Sequence, residues 1–141
     1  MFQDGVAPED VKLGITGDIY FLTALSVLAE YPDRIRHLFV TDSINNERVF
    51  GCYFYINGQK ILVMVDDFLP VQPNGKLVFS QAAKLWVPLL QKCWAKLHGS
   101  YEQVYHKSKD LAFRDLTGAP SFRYHTSEPG IWEMLLEGDT Q

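Results

Sequence analysis

Thiols, imidazoles and paired carboxylates are the groups in this 141-residue sequence that could do chemistry: Cys52 and Cys93, the histidines His37, His98, His106 and His125, and the adjacent Asp66 and Asp67. A thiol becomes a nucleophile where an imidazole or a helix N-terminus favours its thiolate. Cys93 instead lies on the apolar stripe of a long amphipathic segment, and Cys52 lies in an aromatic, β-branched run. Both read as small packed hydrophobes. Two cysteines are too few for a disulfide framework and these are too far apart for a zinc knuckle, which fits a reducing compartment. Neighbouring strand residues point to opposite faces, so Asp66 and Asp67 read as turn and cap acceptors, not as a convergent acid–base dyad. His98, just past the long amphipathic segment, reads as a helix-end residue bonding local carbonyls. His37, His106 and His125 have no cysteine or carboxylate at a diagnostic spacing and read as surface residues.

These groups must be held by a small set of elements. Residues 1–17 have no hydrophobic period and read as an irregular loop. From Ile19 to Glu30 there is neither glycine nor proline, and the apolar density predicts a buried helix with Asp18 as its N-cap. Pro32 stops that helix, and a short second one is expected over Asp33–Phe39. Val49–Val65 is predicted to be a β-hairpin, because Asn57-Gly58 supplies the positive φ angles of a type I′ turn between two strand-forming runs. A second long helix follows, with Leu85, Trp86, Leu89, Leu90, Cys93, Trp94 and Leu97 on one face. Lys84, Gln91, Lys92 and Lys96 fall on the other side, Ser80 or a neighbour is the expected cap, Pro88 belongs in the first turn, and Gly99 ends it. Asp110–Leu116 and Gly130–Leu136 are expected to be further short helices.

A chain of this length buries roughly two-thirds of the surface that its unfolded form exposes, enough for one core without disulfides or a structural metal. With 47% hydrophobic and 21% charged residues the composition is globular, and a single domain over 1–141 is expected. The net charge of −4 comes with no basic stripe, which argues against a nucleic-acid partner. Apolar runs such as Ile61–Val65 fall far short of the roughly 20 residues that span a bilayer, and the N-terminus carries no signal-peptide pattern.

Four segments, in order, carry a family resemblance: Leu13-Gly14-Ile15-Thr16-Gly17-Asp18-Ile19-Tyr20-Phe21-Leu22; Val65-Asp66-Asp67-Phe68-Leu69-Pro70; Trp86, Leu89-Leu90, Lys92 and Ala95-Lys96-Leu97-His98-Gly99-Ser100-Tyr101-Glu102; and Asp115-Leu116-Thr117-Gly118-Ala119. Together they resemble the first half of a calpain-type cysteine protease core, over nearly the whole chain. The implied fold is α+β: subdomain 1 of a papain-like, calpain-type core, a helical bundle with a long buried first helix and a small antiparallel hairpin sheet.

The departures from the family pattern fall on the chemistry. The resemblance places the nucleophilic cysteine at Ile19, the oxyanion-donating glutamine at Leu13 and the helix-opening tryptophan at Tyr20. Isoleucine has no nucleophilic atom and leucine no side-chain donor. The resemblance also implies that the histidine and asparagine of the triad come from a second subdomain following this one. Calpain cores further carry calcium in this half. Here the resemblance assigns that site to the carbonyls of Gln3 and Gly5 and the carboxylate of Asp10, with Lys84 where the family has a glutamate. Calcium takes six to eight oxygen ligands, and an ammonium both removes oxygens and repels the ion. A salt bridge from Lys84 to Asp10 in place of the ion is the competing expectation.

The sequence therefore leads to the expectation of a non-enzyme, a pseudo-protease whose degenerate positions Leu13, Ile19 and Tyr20 catalyse nothing. No cofactor is expected, calcium included. The expected partner is a protein or a second protease-core subdomain, in a cytoplasmic setting and in particular a cytoskeletal or ciliary assembly. The alternative is a fragment of a calcium-dependent calpain-type cysteine endopeptidase.

Overall fold

A computed structural model describes residues 1–2, 4–14, 19–105 and 107–139. The architecture is α+β, with five helices and one two-stranded antiparallel sheet among the described residues. A one-turn 3₁₀ segment at Pro8–Asp10 precedes α1 (Ile19–Ala29) and α2 (Pro32–Arg36). Then come β1 (Val49–Ile56), β2 (Gln59–Asp66), α3 (Trp86–Leu97), α4 (Lys109–Thr117) and α5 (Ile131–Asp139).

α1 buries Tyr20, Phe21, Leu22, Ala24, Leu25, Leu28 and Ala29, which lie on more than one face. A helix apolar on several sides must be covered on several sides. α1 accordingly packs against α2, α3, α4 and the 3₁₀ segment. At its centre the Phe21 ring stacks on the Trp94 indole of α3 at 4.8 Å, and Phe54 of β1 closes on the same indole at 5.8 Å. Buried aromatic pairs of this kind contribute about 0.5–1.5 kcal/mol beyond their buried area.

The hairpin forms as its sequence predicts. Asn57 and Gly58 take φ of 50° and 76°, as a type I′ turn requires, and pair Ile56 with Gln59. Register then places Phe50, Cys52, Phe54, Val63 and Val65 on the buried face, and leaves Leu62 and Met64 exposed on the other. α3 packs across β2 and α4 across β1.

Several elements differ from their sequence expectation. Pro32 opens α2 as well as following α1, since its fixed φ and missing N–H suit a first helical position. α2 ends at Arg36 because Phe39 bridges Cys52 on the edge of β1, with Tyr53 N–H donating to the Leu38 carbonyl at 2.7 Å. Ser80 does not cap α3. Leu85 holds that place without a side-chain bond, while Ser80 bridges Leu13 and ties the N-terminal arm to the approach of α3. That bridge explains Gly14: an added Cβ would stand 2.4 Å from the Phe79 carbonyl oxygen, so only glycine allows the two backbones so close. Gln91 is buried instead of lying on the polar side, so more of α3's circumference is covered than its spacing indicates. Pro88 lies in the first turn and Gly99, at φ 108°, follows the last, both as expected. The Asp18 cap lies outside the described residues.

Candidate functional site

The N-terminal end of α1 is built from outward-facing and inward-facing neighbours. Ile19 is 54% exposed at the first helical residue, whereas Tyr20 turns inward and is buried. The Tyr20 hydroxyl donates to the Val104 carbonyl at 2.5 Å and accepts from the Trp94 indole N–H at 3.1 Å. A tyrosine here thus bonds where a purely apolar residue would leave two buried polar atoms unpaired. Leu13, 55% exposed, is held at the bridge to Ser80.

Behind this end lies a charged network that sequence spacing did not reveal. The His98 ring stands edge-on to Trp94 at 4.2 Å. Lys107 Nζ is 3.0 Å from His98 Nδ1, and because an ammonium only donates, Nδ1 is the acceptor and Nε2 carries the proton. Nε2 faces the fully buried carboxylate of Asp115 at 3.4 Å, and Arg114 Nε lies 3.1 Å from the other oxygen. The His98 ring is therefore not bonded to local carbonyls as expected: its Nδ1 is bonded to Lys107 in the loop before α4, and its Nε2 faces Asp115 of α4 without a hydrogen bond. His37 and His125 are exposed, and His106 lies outside the described residues.

The N-terminal segment is held to the approach of α3 by Lys84. Its Nζ lies 2.9 Å from Asp10 Oδ1 and 3.1 Å from the Gly5 carbonyl. Asp10 Oδ2 accepts from the Ala7 N–H at 2.9 Å and from the Trp86 indole N–H at 3.1 Å. Burial alone would raise the Asp10 carboxyl, but the hydrogen bonds from Lys84, Ala7 and Trp86, with the Lys84 charge, hold it below the usual carboxylate range. Gln3 lies outside the described residues. Trp86 is the member of this cluster that sequence reasoning missed.

The other candidates keep structural roles. Cys52 and Cys93 are free and fully buried, and burial, then the neighbouring Cys93, pushes the Cys52 thiol well up. Asp66 accepts from the Phe68 N–H at 2.8 Å and pairs with Lys92, while Asp67 pairs with Arg48 at 2.8 Å, so the two do not converge. Among the described residues no group of three or more His, Cys, Asp or Glu side chains is placed to hold a metal, and no helix is long and apolar enough to cross a membrane. The large aromatics Phe68, Phe122 and Trp132 are exposed.

Comparison with known proteins gives this arrangement its context. The profile of the calpain family of cysteine proteases matches residues 1–141. The calpain-type cysteine protease DEK1 of Zea mays is 35% identical over 148 residues, covering 96% of this chain and 7% of the relative. Calpain-14 of Homo sapiens is 33% identical over 136 residues, covering 91% of this chain and 20% of the relative. The calpain-1 catalytic subunit of Homo sapiens is 34% identical over 143 residues, covering 95% and 20%. The chain thus spans a fifth or less of the length of these relatives. Their names correct the expectation of a non-enzyme: a calpain-type cysteine protease and a calpain catalytic subunit are enzymes.

Proposed function

Because this chain belongs to the calpain family of cysteine proteases, we propose that residues 1–141 work as the first subdomain of a calpain-type protease core, in which Leu13 and Ile19 wall a cleft shared with a second subdomain. The observation that supports this most is Ile19, an apolar side chain 54% exposed at the head of an otherwise largely buried helix. Apolar area removed from water contributes about 25 cal/mol per Å². Covering Ile19 and Leu13 is therefore favourable, and Phe68, Phe122 and Trp132 offer further apolar surface.

Residue 19 has no lone pair with which to attack a carbonyl, and residue 13 has no side-chain N–H to donate to an oxyanion. Any thiol that attacks peptide in the assembled protein comes from outside residues 1–141. Lys84 takes the place of a cation at Asp10 and Gly5: its ammonium already occupies the oxygens that calcium would need, and calcium requires six to eight of them. On the resemblance, a cytoskeletal or ciliary assembly is the setting for such a docking half.

The test is an active-site thiol probe with mass mapping on the longest native form of the protein, run alongside peptide turnover. Cys52 and Cys93 are expected to stay unlabelled in the native state. Labelling of either in step with loss of turnover overturns the reading.

A further inference from the structure

A cavity of about 400 Å³ opens between the C-terminal end of α1, α2, the end of β1 and the C-terminal end of α4. It lies at the opposite end of α1 from Ile19, nine residues or about 14 Å along the helix axis. Its volume falls within the range of small-molecule sites, roughly 300–1,000 Å³. The floor is apolar: Leu28, Leu38 and Leu116 line it, with the Tyr55 ring as one wall. That ring is seated firmly. Gly118 takes φ of 74° beside it, and a Cβ there would come within 2.9 Å of a ring carbon.

The charge at this cavity is of one sign. Arg34 on α2 and His37, the residue that caps its C-terminal end, are the ionisable lining residues besides the Tyr55 phenol, and no Asp or Glu lines it among the described residues. Neither Arg34 nor His37 forms an ion pair with a described carboxylate; the Arg34 guanidinium lies over the Tyr31 ring at 4.4 Å. Arg36, by contrast, turns toward Phe2 and takes no part. A chain with net charge −4 thus keeps a recess that carries the Arg34 guanidinium and no carboxylate, with the Thr117 hydroxyl beside its leucine floor.

We propose that this cavity binds a carboxylate carried on a short apolar or aromatic body. The carboxylate meets Arg34 and His37 at the mouth, and the body enters between Leu28, Leu38, Leu116 and Tyr55. A guanidinium offers paired N–H donors that match a carboxylate, and the apolar floor takes up a hydrocarbon or phenyl group without leaving a polar atom unpaired. Both a small organic acid and the C-terminal residue of a peptide present this chemistry.

The experiment is an amide-resolved NMR titration of the chain with 3-phenylpropanoate, its neutral amide 3-phenylpropanamide, and the tripeptide Ala-Ala-Phe as free acid and as C-terminal amide. Saturable shifts are expected at Leu38, Leu116 and Ala119, with the acids about tenfold tighter than the amides, the scale of one charge-assisted hydrogen bond. Arg34→Gln, on an exposed helix face, removes the preference for the acids but leaves amide binding unchanged. Ala119→Trp, which fills the mouth, abolishes both, and Lys109→Gln, a cation away from the cavity, changes neither. If the tripeptide acid binds more tightly than 3-phenylpropanoate the occupant is a chain terminus; if less tightly, it is a small acid. Equal binding of acids and amides, shifts elsewhere, or no saturable shift at millimolar ligand overturns the proposal, and none of these results bears on the docking of a second subdomain at Ile19.

Discussion

The Lys84 ammonium stands 2.9 Å from the Asp10 carboxylate and joins two stretches of chain 74 residues apart. Both carboxylate oxygens are used, Oδ1 by Lys84 and Oδ2 by Ala7 and Trp86. Side-chain exposures of 19% and 10% put this pair between a solvated bridge, about 0–1 kcal/mol, and a buried one whose breakage costs about 3–5 kcal/mol. Lys84→Met is expected to cost about 2 kcal/mol in urea unfolding. Adding Asp10→Asn to it should cost little more, since the pair is already broken.

The same carboxylate sets part of the acid limb of stability. A folded-state pKa below the unfolded value near 4 means that the unfolded chain binds protons first as pH falls. The Asp10 contribution is thus full above about pH 4 and is lost as pH drops through the lower folded value. Asp66, held down first by Lys92 and then by the Phe68 N–H, and Asp110, held down first by Ser108 and then by Arg123, act in the same direction. Thermal unfolding between pH 2 and 6 should show stability falling below pH 4, with a shallower fall in Asp10→Asn and a further flattening when Asp66→Asn is added.

Calcium gives a separate check on Lys84. Titration calorimetry of the chain should show no micromolar calcium binding. Such binding, abolished by Asp10→Ala, would show that the ammonium does not hold the place of the ion.

Thiol reactivity reports which side chains the fold exposes. Cys52 and Cys93 are fully buried and should react with Ellman's reagent only at the rate of unfolding. Ile19→Cys adds a thiol at an exposed helix head, and one fast-reacting equivalent per chain is expected. A second fast equivalent would mean that a core thiol is accessible.

Much of the fold is legible because local signals coincide with tertiary ones. Asn57-Gly58 fixes both the turn and the register, and the alternation of Phe50, Cys52 and Phe54 fixes the buried face. The salt bridge of Lys84 to Asp10 is also expected from the sequence, and the structure holds it at 2.9 Å. The rest depends on partners distant in sequence. The bond from Trp86 to Asp10 spans 76 residues and that from Trp94 to Tyr20 spans 74, and neither tryptophan differs in sequence from an ordinary core residue. His98 departs from its sequence expectation for the same reason, since Lys107, which bonds its Nδ1, lies nine residues downstream. Ser80 has the chemistry of a helix cap, but a backbone bridge to Leu13 claims it first.

Photo-crosslinking from residue 19 tests the central claim most directly. With p-benzoylphenylalanine in place of Ile19 in the longest native form of the protein, irradiation and mass mapping should identify adducts to a second protease-core subdomain outside residues 1–141. Adducts confined to residues 1–141, or none above the solvent-quenched background, would contradict the account.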